Sequence, residues 1–106
     1  MKEGRLEFAN GGWSASDEAC PNYEDMINNM LIGHNFLKKE FGVKPRVGWH
    51  VDAFGHGATN ARLFADFGFE AMFFARMDRT DKLSLEKVKG LEFIWRPHAK
   101  HFGAQK

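Results

Sequence analysis

Within one short stretch, Trp49-His50-Val51-Asp52-Ala53-Phe54-Gly55-His56-Gly57, this chain concentrates the side chains best suited to chemistry. A carboxylate such as Asp52 can attack carbon or move a proton. Imidazoles and a carboxylate can ligate a metal, and a His-x-Asp pair can equally be a hydrogen-bonded brace that fixes a loop. The residues alone leave all three readings open, because mutual geometry and the groups around each side chain decide among them.

Each reading needs a rigid support, and the flanking sequence offers one. Arg46 to Val51 reads as a buried strand, so His50 and Asp52 are expected to point the same way at its C-terminal end, the end that faces the ligand crevice in α/β folds. Gly55 and Gly57 let the backbone turn or approach a ligand, and the stretch from Ala58 or Thr59 to Phe67 reads as the returning helix, stopped by Gly68.

The remaining elements repeat that alternation. Arg5 to Phe8 is an expected short strand ending at Gly11-Gly12. Pro21-Asn22 opens the longest helical pattern, with Asn22 and Asp25 spaced as a capping pair. Tyr23, Met26, Ile27, Met30, Leu31, Leu37 and Phe41 form its apolar stripe, Lys38 and Lys39 suit the negative end of its dipole, and Gly42 supplies the stop. A strand over Glu70 to Ala75, a polar helix over Leu83 to Lys89 ended by Gly90, and a strand over Leu91 to Trp95 complete the pattern. This spacing predicts an α/β fold of parallel βαβ units with right-handed crossovers. Beyond Trp95, residues 97–106 read as a loop or tail.

Composition narrows the function classes. At 106 residues one compact domain is the ceiling, and 15 Lys+Arg against 14 Asp+Glu give a net charge of +1. That balance argues against nucleic-acid and anionic-membrane partners. The first residues carry no apolar run of signal-peptide length, and no stretch approaches the roughly 18 apolar residues of a membrane span. The single cysteine, Cys20, cannot form an internal disulfide. Aromatic residues make up 14%, with 11 Phe and 3 Trp, which suits a buried core and also the stacking surfaces of sugar sites.

Four blocks, taken together, resemble a known family: Gly4-Arg5-Leu6-Glu7-Phe8-Ala9-Asn10-Gly11-Gly12-Trp13, Asp17-Glu18-Ala19, Trp49 to His56, and Phe73-Phe74-Ala75-Arg76. Their order and spacing resemble the class II α-mannosidases, glycoside hydrolase family 38, of the lysosomal type. The resemblance implies that Asp52 is the catalytic nucleophile and a zinc ligand, that Arg76 supports it, that Phe54 lines the sugar site and that His56 supports the turn. It further implies that the chain, 1–106, is a partial N-terminal catalytic domain and part of a seven-stranded (β/α) barrel. The upstream His-x-Asp zinc ligands, a further histidine ligand and the general acid would then lie outside it, so the rest of the same enzyme chain is needed.

The activity implied for that whole enzyme is lysosomal hydrolysis of terminal α-mannosides in N-glycan breakdown, with retention of configuration and zinc gripping the mannose 2- and 3-hydroxyls. Two departures stand out: Ala53 replaces the usual proline, and Gly57 stands where serine is common. Losing proline frees φ just after Asp52 and restores a backbone donor. Asp17 and Glu18 are expected to contact sugar hydroxyls or the loop bearing Asp52. His34 reads as structural, and His98 and His101 as tail residues despite a spacing that suits one helix face. The rival readings are a metal-dependent carbohydrate deacetylase on a related barrel and a truncated, non-catalytic chain.

Overall fold

The computed structural model describes residues 3–97. Five elements follow in order: α1 (Tyr23–Phe41), β1 (Val47–His50), α2 (Ala58–Asp66), β2 (Ala71–Phe74) and α3 (Arg79–Lys87). β1 and β2 pair in parallel, in the register Val47↔Ala71 through His50↔Phe74, with α2 as their connection. The expected α/β character and parallel βαβ unit are therefore present. No helix is long and apolar enough to cross a membrane among the described residues.

α1 forms where its charges and caps predict. Glu24 and Asp25 lie in its first turn and Lys38 and Lys39 in its last, and Gly42, at φ 69°, donates its N–H to the Lys38 carbonyl at 3.0 Å. The expected Asn22–Asp25 capping pair is corrected: Asn22 occupies the N-cap, but its side chain makes no capping bond, and its carbonyl accepts from the N–H groups of Asp25 and Met26. The apolar stripe is also narrower than its periodicity suggests. Met26, Met30 and Leu37 are buried, whereas Tyr23, Leu31 and Phe41 remain exposed.

Gly33 explains how α1 seats on the N-terminal segment. A Cβ there would run into the backbone of Gly11, Gly12 and Trp13, so helix and segment touch main chain to main chain. Asn29 fastens the same contact. Its carbonyl accepts from Trp13 N–H at 3.0 Å, its Oδ1 accepts from Ser14 N–H at 2.8 Å, and its Nδ2 donates to the Ser14 carbonyl at 3.0 Å.

Two expected strands are absent among the described residues. Arg5–Phe8 forms none: the segment reaches β1 at Asn10, which donates its N–H to the Val47 carbonyl at 2.7 Å and accepts from Trp49 N–H through Oδ1 at 3.2 Å. Asn10 (φ 58°) and Gly11 (φ 77°) both adopt left-handed backbone, which turns the chain away before a ladder can grow. Leu91–Trp95 also forms no strand. Phe93 packs on Phe74 with ring centroids 6.0 Å apart, but the backbone joins no ladder and Ile94 stays exposed.

α3 begins at Arg79, before the expected Leu83, because Asp78 caps it by accepting from the N–H groups of Thr80 and Asp81. At its other end Lys89 takes the left-handed position (φ 54°), and Gly90 N–H returns to the Leu85 carbonyl at 2.8 Å. The small core centres on Phe64 of α2, which lies so close over β1 that a Cβ on Gly48 would stand 2.8 Å from its ring. Phe69 packs against Phe64 edge to face at 5.2 Å.

Candidate functional site

The site sits where β1 and β2 end together. His50 and Phe74 are the last paired residues, so Asp52 and Arg76, each two positions farther on, emerge side by side. Arg76 donates through Nε to Asp52 Oδ1 at 2.6 Å, and its Nη2 stands 2.5 Å from the same oxygen. The guanidinium lies 4.6 Å from the centre of the Phe54 ring, a cation–π distance. Three residues singled out from sequence, Asp52, Phe54 and Arg76, are thereby brought into one contact group.

The expectation that His50 and Asp52 point the same way is corrected. β1 stops at His50, and Val51-Asp52 is already a turn. The His50 side chain is 1% exposed and that of Asp52 is 73% exposed, so one faces the interior and the other solvent. The cause is the set of groups that surrounds His50: the Phe64 ring at 5.8 Å, the His56 ring at 5.6 Å and the Glu18 carboxylate.

Glu18 joins three parts of the chain. Its Oε2 accepts from the Gly57 N–H, its Oε1 accepts from Asn60 Nδ2 at 2.9 Å, and Oε1 also stands 2.7 Å from His50 Nε2. The last contact has the distance of an ion pair without the alignment of a hydrogen bond, so His50 Nε2 makes no aligned hydrogen bond. Asn60 is itself buried on α2. Asp17, by contrast, turns inward on its own segment and accepts from Ala19 N–H. It also holds the exposed Cys20 thiol above its usual range by hydrogen bonding and charge.

His56 braces Arg76 from behind. Its Nε2–H donates to the Arg76 carbonyl at 2.6 Å, and its ring packs on Phe74 at 5.1 Å. A carbonyl only accepts, which fixes the proton on Nε2, and in the neutral ring Nδ1 keeps a lone pair. That Nδ1 is buried without a hydrogen-bond partner. His34 serves the fold: its Nε2 lies 2.8 Å from the Asn10 carbonyl and its ring meets Phe67 and Phe69. His98 and His101 lie outside the described residues.

Zinc needs at least three protein ligands in a typical site. The one grouping of three possible ligands among the described residues is Glu18, His50 and His56, with ligand atoms within 4.8 Å of one another, and it excludes Asp52. Its carboxylate is already occupied by Gly57 and Asn60. These residues alone therefore do not fit a zinc centre built on Asp52.

Sequence reasoning paired Arg76 with Asp52 and offered the loop bearing Asp52 as a contact of Glu18, which the Gly57 bond meets, but missed the contacts of Glu18 with His50 and Asn60. For Asn60 the signal was faint, a polar residue in the first turn of a short helix.

Residues 1–101 match the glycosyl hydrolases family 38 N-terminal domain. The chain is similar to lysosomal alpha-mannosidase of Dictyostelium discoideum, 48% identical over 91% of this chain and 10% of that protein. It is similar to lysosomal alpha-mannosidase of Felis catus, 48% identical over 93% of this chain and 10% of that protein. An alpha-mannosidase of Arabidopsis thaliana is 52% identical over 90% of this chain and 9% of its own length. The chain thus spans about a tenth of the length of these relatives.

Proposed function

Because the chain belongs to glycosyl hydrolase family 38, we propose that it is the part of an α-mannosidase catalytic domain that carries the nucleophile, Asp52. The whole enzyme hydrolyses terminal α-mannosides of N-glycans in the lysosome, with retention. The observation that carries this reading is the Arg76–Asp52 contact at the paired ends of β1 and β2. Parallel strands joined by a helix suit a slice of a (β/α) barrel, and active groups of such folds stand at the C-terminal ends of strands.

Retaining hydrolysis needs an ionised carboxylate on one face of the sugar and a proton donor near the leaving oxygen, about 5–5.5 Å apart. Asp52 takes the first role. Its oxygen forms a bond to the anomeric carbon while the glycosidic C–O bond breaks, and the leaving oxygen takes a proton from a general acid outside residues 1–106. Water then cleaves the glycosyl ester and releases mannose. Arg76 holds Oδ1 and keeps the carboxylate in place through both steps, and Phe54 offers an exposed face to the sugar. In the whole enzyme Asp52 would hold zinc together with ligands from chain outside these residues, and the metal would supply Lewis-acid chemistry at the sugar hydroxyls.

Covalent trapping tests the assignment. The full-length protein, treated with a fluorinated mannosyl donor and digested, should yield a mannosyl adduct on the peptide bearing Asp52. A deacetylase-type hydrolase, which activates water instead of attacking the sugar, gives no adduct, and an adduct on another carboxylate removes Asp52 from the role.

A further inference from the structure

We propose that Glu18 is a positioning residue for Asp52, acting through the turn 51–57, an inference that rests on the nucleophile assignment above. The turn that bears Asp52 and Phe54 starts at His50 and ends at Gly57. Both of its ends meet the same carboxylate: Glu18 Oε1 lies 2.7 Å from His50 Nε2, and Oε2 accepts from the Gly57 N–H. A third contact, from Asn60 Nδ2 at 2.9 Å, ties the carboxylate to the first turn of α2. Glu18 itself lies in the N-terminal segment, far from the turn in sequence, so a non-local group closes the loop.

Burial gives the clamp its strength. The side chains of Glu18 and His50 are 11% and 1% exposed, where charged and polar contacts are little screened by water. Asp52, in contrast, is exposed, and Arg76 engages its side chain. Arg76 is in turn held through its carbonyl by His56, which lies within the clamped turn. Glu18 therefore sets the turn, and the turn sets both partners of the Asp52–Arg76 pair. Gly57, where the resembled family commonly has serine, allows close approach: a Cβ there would stand 2.8 Å from Glu18 Oε2. No catalytic contact of Glu18 is implied, since its oxygens accept from Gly57 and Asn60 and face His50.

The test uses the full-length enzyme and Glu18→Gln, which keeps size but replaces one accepting oxygen with a donor, so the contacts to Gly57, Asn60 and His50 cannot all persist. The rate of covalent trapping by a fluorinated mannosyl donor, and kcat and KM on an aryl α-mannoside, are measured per folded molecule. A misplacement of about 1 Å can cost on the order of 10²-fold in rate. Glu18→Gln is expected to lower the trapping rate and kcat by about that factor, with KM changing much less. Asn60→Ala, which removes one contact and leaves the charge in place, is expected to show a smaller loss in the same quantities and stands in for Glu18→Gln if that variant does not fold. Native trapping rates per folded molecule, with only a lower melting temperature, would make Glu18 a stability residue and overturn the proposal while leaving the nucleophile assignment intact. Failure to trap the unmodified enzyme at Asp52 overturns both.

Discussion

Arg76 and Asp52 meet because β1 and β2 end in register, and the meeting is one-sided: Nε at 2.6 Å and Nη2 at 2.5 Å both address Oδ1. One oxygen of the carboxylate is held by charge while Arg76 leaves the other unengaged. That division suits a group which must be fixed in place and still present an oxygen to a reacting carbon.

Asp52→Asn in the full-length enzyme should abolish turnover and leave the fold largely intact. The side chain is 73% exposed, so its packing contribution is small. Removing a covalent nucleophile costs several orders of magnitude in rate, far more than losing a supporting residue. Steady-state kinetics beside a thermal melt check this, and near-normal mannosidase turnover with Asn at this position would sink the assignment.

Arg76→Met should be less severe. It removes the charge at Oδ1 and the cation over Phe54, but the His56 bond to the backbone carbonyl of residue 76 survives. Loss of one preorganised charge-stabilising donor costs roughly 10²- to 10³-fold in kcat. The expected ranking is unmodified enzyme, then Arg76→Met, then Asp52→Asn. An Arg76→Met enzyme as active as the unmodified one would place the arginine outside the reaction.

The 106-residue chain by itself should neither bind zinc at submicromolar concentration nor cleave an aryl α-mannoside. Asp52 is one ligand, and the separate grouping of Glu18, His50 and His56 has its carboxylate engaged by Gly57 and Asn60. Calorimetric zinc titration with an assay at mildly acidic pH decides this. Tight binding that disappears in a His50→Ala or His56→Ala variant would show that this grouping is a metal site after all.

The sequence pattern was legible where local rules suffice. Gly42 ends α1 because it alone relieves the left-handed strain there, and the alternation around α2 marks a parallel pair with Asp52 and Arg76 at neighbouring strand ends. Elements that depend on distant partners were not legible. Arg5–Phe8 and Leu91–Trp95 have strand-like composition, yet a strand exists only where a neighbour supplies a ladder, and Asn10 ends the first contact after a single backbone bond. The same holds for the site. His50 was expected beside Asp52 from strand alternation, but Glu18, more than thirty positions earlier, sits against its ring in the interior.

The start of the sheet offers a pH test. Arg46, just before β1, donates to Glu70, just before β2, at 2.8 and 2.6 Å, and the Glu70 N–H bonds the Arg46 carbonyl at 2.8 Å. The guanidinium holds the Glu70 carboxyl below its ordinary value of 4.5, chiefly by hydrogen bonding. A carboxylate whose value is depressed on folding stabilises the folded chain above its unfolded value and loses that contribution as pH falls through the folded one. Carboxyl-detected NMR of the 106-residue chain should place the Glu70 midpoint below its ordinary value of 4.5, and Arg46→Gln should raise it toward that value. An ordinary midpoint before the substitution would mean that the pair is open in solution.

Gly33→Ala sets helix propensity against packing, and the packing should win. Alanine is favoured over glycine in a helix interior by roughly 1 kcal/mol. At Gly33, however, an added Cβ would stand 2.5 Å from Gly12 C and 2.6 Å from Trp13 N, backbone atoms that cannot rotate aside as a side chain can. Overpacking of this kind costs about 1–3 kcal/mol, and fixed neighbours push toward the upper end. Asn35→Ala, at an exposed position of the same helix, meets no such obstacle and should be neutral or mildly stabilising. The two variants of the full-length protein should therefore shift the melting temperature in opposite directions, or at least leave Gly33→Ala clearly the lower. An increase for Gly33→Ala would show that α1 does not rest on the Gly11–Trp13 backbone, and the seating of the N-terminal segment that carries Glu18 to the turn would have to be redrawn.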